Sequence, residues 1–131
     1  MKRFQHPLMS NNFTPKDFKP VIKYLNKKNV ILTQSKKVYE FERKWSNWLG
    51  VKYSVFVNSG SSANFLSIAV LKEYLKKDKK KEIIVPPLTW VSDINSITFN
   101  NFKPVFCDIN INNLSISEKE LSKKISKKTA A

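Results

Sequence analysis

The sequence predicts an α/β fold in which a mostly parallel sheet is flanked by helices. Three short runs rich in β-branched and aromatic residues, at 53–57, 83–85 and 104–107, are separated by stretches long enough for helices of ten or so residues. Parallel neighbours need such crossovers, because a tight hairpin can join only antiparallel strands. Each run also breaks at a cluster of turn residues: Asn58-Ser59-Gly60-Ser61-Ser62 after the first, Pro86-Pro87 after the second, and Asp108 after the third. At 131 residues the chain has the size of one ordinary domain. Three parallel strands expose a long edge, and no strand pattern follows the last helical one, so the sequence reads as a fragment of a larger α/β domain.

The elements follow in chain order. Thr14 before Pro15, Asp17 in the first turn, and Phe18, Val21, Ile22 and Leu25 at helical spacing predict a first helix that ends near Leu25. After an extended Val30-Ile31-Leu32, Ser35 is placed to cap a second helix. Its stripe is Val38, Phe41, Trp45, Trp48 and Leu49, and Gly50 is placed to end it. The Trp45 and Trp48 pair on this stripe is expected to pack in the core. The 53–57 run is expected as a strand leading to a helix over about 63–75. The 83–85 strand leads to a helix from Trp90 to about Phe99, and the 104–107 strand leads to a helix in which Ser117 and Glu120 form a capping box.

Scarcity excludes several chemistries. Gly50 and Gly60 are the only glycines, so neither a G-x-G-x-x-G dinucleotide loop nor a G-x-x-x-x-G-K-[ST] loop can be written. A lone Cys107 permits no internal disulfide and no Cys-based metal cage, so no metal site is expected. A lone His6 leaves a Ser-His-Asp or Cys-His site a single candidate near the N-terminus. No apolar run is long enough to cross a bilayer or serve as a signal peptide, so a cytoplasmic protein without membrane insertion is expected.

The net charge of +14 raises nucleic acid or another polyanion as a partner. Yet 22 of the 24 basic residues are lysines, with only Arg3 and Arg43 able to make forked contacts, and the one dense cluster is Lys76, Lys77, Lys79, Lys80 and Lys81. This distribution suits solvent-facing lysines better than a specific nucleic-acid face. A lysine-rich polyanion-binding module is the competing reading of another class.

In parallel α/β sheets ligands bind beyond the carboxyl ends of the strands. The 58–64 turn sets hydroxyls beside free helix N–H groups, which suits a phosphate; Ser59 or Ser61 acting as a plain N-cap is an equally good reading. At the next strand end, Trp90 follows a rigid diproline and faces the expected crevice, where a planar ligand could stack on it.

Three segments, Val57-Asn58-Ser59-Gly60-Ser61-Ser62-Ala63-Asn64, Ile84-Val85-Pro86-Pro87-Leu88-Thr89-Trp90-Val91-Ser92 and Lys103-Pro104-Val105-Phe106-Cys107-Asp108-Ile109, resemble the N-terminal part of the DegT/DnrJ/StrS sugar aminotransferases. Leu32-Thr33-Gln34-Ser35 with Phe41-Glu42 is similar to the family's opening segment. The resemblance implies the aspartate aminotransferase fold type I and pyridoxal 5'-phosphate as cofactor. It implies Ser61 and Ser62 at the cofactor phosphate, Trp90 against the pyridine ring, and Thr33 beside the sugar. Asp108 matches a family aspartate, for which a structural role is expected.

The same resemblance implies an N-terminal arm and helix over 1–34 and a partial cofactor-binding large domain over 35–131. It implies a homodimer acting on a nucleotide-linked keto-sugar with an amino acid as amino donor, in the biosynthesis of cell-surface polysaccharide or lipopolysaccharide sugars. No lysine of this chain stands in the family's cofactor-lysine motif. No catalytic residue is therefore expected among the 131, and they are expected to be inactive alone. A 3-dehydratase of the same family is the alternative, because relatives with histidine at the lysine position dehydrate the sugar instead.

Overall fold

The computed structural model describes residues 11–76 and 79–131; Arg3, His6 and Lys77 lie outside them. The elements run α1 (Pro15–Leu25), α2 (Lys36–Leu49), α3 (Gly60–Tyr74), β1 (Glu82–Val85), α4 (Val91–Phe99), β2 (Lys103–Phe106) and α5 (Glu118–Lys124). They form two compact units that divide between Phe56 and Val57. The 34/35 division implied by the resemblance concerns the complete fold.

In the first unit, α1 begins as its cap residues require. Thr14 is extended, and the Asp17 carboxylate accepts from both the Thr14 N–H and its hydroxyl at 2.7 Å. These two bonds hold the Asp17 carboxyl below its ordinary pKa, because they favour the charged form. Ser35 caps α2 by accepting from the Lys37 N–H, and Gly50 ends it at φ 76°, a left-handed conformation that a side chain would strain. Ser46 is buried and donates to the Ser54 hydroxyl at 2.8 Å, which ties α2 to the segment that follows it.

Two expectations for this unit are corrected. The 53–57 run makes no ladder among the described residues. A strand exists only where a neighbour offers backbone groups in register, and here the Phe56 N–H donates instead to the Glu42 carboxylate at 2.8 Å. The Trp pair is not core: Trp45 is 45% and Trp48 75% exposed. Helical spacing does put them on one face, and they stack along it. Phe41 and Trp45 have ring centroids 6.0 Å apart, Trp45 and Trp48 4.9 Å, and Phe56 meets Phe41 edge-on at 5.3 Å.

The second unit is built on β1. Its strand pairs in parallel with β2, from Glu82 opposite Lys103 to Val85 opposite Phe106. Ile83 and Val85 are buried on one face, where Ile68, Leu71 and Leu75 of the α3 region and Ile94 and Ile97 of α4 cover them. Glu82 and Ile84 on the other face stay only half-buried, so the expected two-sided cover is partial among the described residues. Asn100 links α4 to α3 by donating to the Phe65 carbonyl at 3.3 Å and to the Ser96 carbonyl at 2.8 Å. Among the described residues no buried side-chain nitrogen or oxygen lacks a partner.

Helix boundaries shift slightly from expectation. α3 starts at Gly60 rather than near Ala63, since Ser59 takes the cap; α4 starts at Val91 with Trp90 as its cap residue; and β2 ends at Phe106. Ser117 caps α5 by accepting from the Glu120 N–H at 3.4 Å. The chain does not end on this helix. Ala130 donates to the Glu82 carbonyl at 2.7 Å, Ile84 donates to the Ala131 carbonyl at 2.9 Å, and Thr129 bridges Glu82 in parallel. The last residues thus lie along the edge of β1 away from β2. A run as short as Thr129-Ala130-Ala131 has too little apolar pattern to be read as a strand, and the exposed donors and acceptors of β1 recruit it.

The core and the exposed stripe should respond differently to truncation. Ile97 is 3% exposed, so Ile97→Ala should lower the unfolding free energy by about 2–5 kcal/mol in denaturant titration. Trp48→Ala in this chain should change it by no more than about 0.5 kcal/mol.

The start of α1 should depend on pH. Because the folded-state pKa of Asp17 is depressed, its contribution is present above the ordinary carboxylate value and is lost as pH falls through the lowered one. The protection of the Thr14 amide relative to its intrinsic exchange rate, followed by NMR, should fall in that acidic window and be retained above it.

Candidate functional site

The first turn of α3 is where the open question about the cap is resolved. Ser59 is extended, and its Oγ accepts from the Ser62 N–H at 3.1 Å; its hydroxyl then donates to Ser62 Oγ at 3.1 Å, which in turn donates to Asn58 Oδ1 at 2.7 Å. Ser59 is therefore the N-cap, and Ser62 belongs to the capping network. The Gly60 and Ser61 N–H groups donate to no protein group among the described residues, and the exposed Ser61 hydroxyl is equally free. A helix of 15 residues thus presents two unpaired N–H groups and one hydroxyl at its positive end, a donor set suited to a phosphate.

At the end of β1, Pro86 and Pro87 lead through Leu88 and Thr89 to Trp90, whose backbone is extended (φ −68°, ψ 143°) and whose indole is 81% exposed. The ring has no aromatic partner among the described residues. A residue this exposed leaves its ring accessible to a planar ligand. Thr33 lies in the first unit, exposed in the bend before α2; Ser61, Ser62 and Trp90 lie in the second.

Residues not singled out on sequence join the two turns. Asp93, in the first turn of α4, accepts from the Thr89 hydroxyl on one carboxylate oxygen and from the Asn64 side-chain amide on the other. Asn64 stands in the second turn of α3, so one carboxylate ties the beginnings of both helices. Below it a cavity of about 220 Å³ is lined on its polar side by Asn64, Ser67, Asp93 and Ser96. An acidic residue in a helix's first turn reads from sequence as a partner for the helix dipole, so nothing in the spacing marks Asp93 as a link between two turns. Asp108 makes a local bond only, accepting from the Ile109 N–H at 2.8 Å, while its carbonyl accepts from the Ser117 N–H.

The DegT/DnrJ/EryC1/StrS aminotransferase family model matches residues 13–131. The chain belongs to this family. Within it, a GDP-4-keto-6-deoxy-D-mannose 3-dehydratase of Escherichia coli O55:H7 is 33% identical over 128 residues, covering 96% of this chain and 32% of that protein. A UDP-4-amino-4,6-dideoxy-N-acetyl-beta-L-altrosamine transaminase of Helicobacter pylori is 34% identical over 115 residues, covering 88% of this chain and 29% of that protein. The chain therefore spans about a third of the length of these relatives.

Two solved structures show the same relationship in three dimensions. A GDP-4-keto-6-deoxymannose-3-dehydratase with a trapped PLP-glutamate geminal diamine superposes with a TM-score of 0.80 at 31% identity, over 93% of this chain and 32% of that one. PseC of Helicobacter pylori, an aminotransferase in pseudaminic acid biosynthesis, superposes with a TM-score of 0.73 at 31% identity, over 89% and 30%. The family's α/β fold type I architecture accounts for the parallel β1–β2 pair and its covering helices. No helix among the described residues is long and apolar enough to cross a membrane.

An indole this exposed contributes little to folding. Trp90→Ala should leave the denaturant midpoint nearly unchanged, with an effect within about 0.5 kcal/mol, and a loss as large as that of Ile97→Ala would show that the ring is structural.

Proposed function

We propose that this chain is the N-terminal part of a pyridoxal-phosphate-dependent aminotransferase acting on a nucleotide-linked keto-sugar, with an amino acid as donor, in the biosynthesis of cell-surface polysaccharide or lipopolysaccharide sugars. The observation that carries this reading is the unpaired donor set at Gly60 and Ser61 together with the exposed Trp90, in a chain of this family. In this reading residues 1–34 are an arm and helix, 35–131 belong to the large domain, and the intact protein is a cytoplasmic homodimer. Its partners are small molecules and not nucleic acid.

The residues divide the work. The Gly60 and Ser61 N–H groups and the Ser61 hydroxyl hold the cofactor phosphate at the positive end of α3. Ser62 keeps that end in shape by completing the Ser59–Asn58 network. Trp90 covers one face of the pyridine ring and keeps water from it. Thr33 borders the sugar. Pyridoxal phosphate, when bound, supplies the electron sink that amino-group transfer needs. The cofactor lysine lies outside these residues, so the 131 alone are inactive.

A second reading, the 3-dehydratase, is favoured by one observation: such enzymes stand at 33% identity in sequence and at a TM-score of 0.80 in structure. The test uses the intact protein with pyridoxal phosphate, a nucleotide-linked 4-keto-6-deoxy sugar and glutamate. An amino sugar formed in step with 2-oxoglutarate supports transfer, and a 3-deoxy sugar supports dehydration. Neither product, in a protein that holds no cofactor, overturns both. Ser61→Ala and Trp90→Ala should each weaken cofactor retention about tenfold in equilibrium dialysis, the loss of one hydrogen bond to a charged group or one stacking contact.

A further inference from the structure

The geometry points to Asp93 as a positioning residue that sets the direction of Trp90 relative to the phosphate-binding end of α3; this rests on the function proposed above. Trp90 has no packing of its own to orient it, being 81% exposed, so its direction depends on the backbone around it. One residue holds that backbone, by its side chain before the indole and by its backbone N–H after it. Asp93 accepts from the Thr89 hydroxyl, one residue before the indole, while its own N–H donates to the Trp90 carbonyl at 3.0 Å. The second carboxylate oxygen accepts from the Asn64 amide, 29 positions earlier in the chain, in the helix whose N-terminus carries Ser61.

Asn64, Thr89 and Asp93 are all half-buried, where a charge-assisted hydrogen bond is screened less than at the surface. The remaining links between α3 and α4 lie elsewhere: Asn100 at the far end of α4 reaches the Phe65 carbonyl, and the apolar cluster around Ile97 lies below. Those contacts hold the helices together without fixing the turn at 89–90. Removing the carboxylate should therefore leave the helix pair packed while freeing the indole.

The test is a double-mutant cycle in the intact protein, with pyridoxal phosphate itself as probe and binding read from its absorbance. Asp93→Ala should raise the dissociation constant about fivefold in the wild-type background, within the loss that removing the indole itself causes, and by less than about twofold when Trp90 is already alanine. Thr89→Val, which removes one bond and keeps the shape, should show the same dependence on Trp90 with a smaller effect, and it stands in if Asp93→Ala does not fold. Thermal unfolding is followed alongside. An equal loss in both backgrounds, or no loss in either, overturns the assignment of Asp93 while leaving the proposed function in place. A wild-type protein that takes up no pyridoxal phosphate overturns the proposed function and this inference with it.

Discussion

Burial of Ile83 and Val85 beneath α3 and α4 is the contact on which the second unit depends. A four-residue strand with one partner strand and a short run on its other edge has little stability in water, and β1 persists because alternate side chains enter an apolar cluster with Ile97 and Phe102. Once β1 is held, its carboxyl end points the 86–90 turn in one direction. The preceding helix, packed on the same face, presents its own N-terminus by the same constraint. The candidate site is thus a by-product of how a parallel strand must be covered, since helices that pack on such a strand bring their first turns to its carboxyl end.

Within that frame the division of labour among the serines is chemical. A helix start has four orphan N–H groups, and one hydroxyl can satisfy only part of them. Ser59 satisfies the Ser62 N–H, and Ser62 is then committed to Asn58. Of the three that remain, those of Gly60 and Ser61 lie within the first turn of the helix. In the proposed function a cap and an anion site coexist in one turn, and they do not compete because they use different donors.

The first unit shows what a helical stripe does without a neighbour among the described residues. Phe41, Trp45 and Trp48 lie on one face of α2 and satisfy part of their apolar surface against one another and Phe56. Periodicity correctly announced that the face was apolar. It carried no information about what covers that face, because amphipathicity describes a side of a helix and not the partner that meets it.

The sequence by itself determined the local elements. Thr14-Pro15, Ser35, Gly50 and Ser117 mark helix boundaries through bonds that reach only one to four residues along the chain, so their spacing is enough to read them. The turns carrying Ser61 and Trp90 were legible for the same reason, as was the resemblance of those segments to a family. Tertiary structure alone decided that residues 53–57 form no ladder, that Ala130 and Ala131 line the edge of β1, and that Asp93 joins Thr89 to Asn64. Each of these depends on a partner distant in sequence or on its absence. A hydrogen bond between positions 64 and 93 leaves no period or spacing in the chain; it exists only once β1, α3 and α4 have packed.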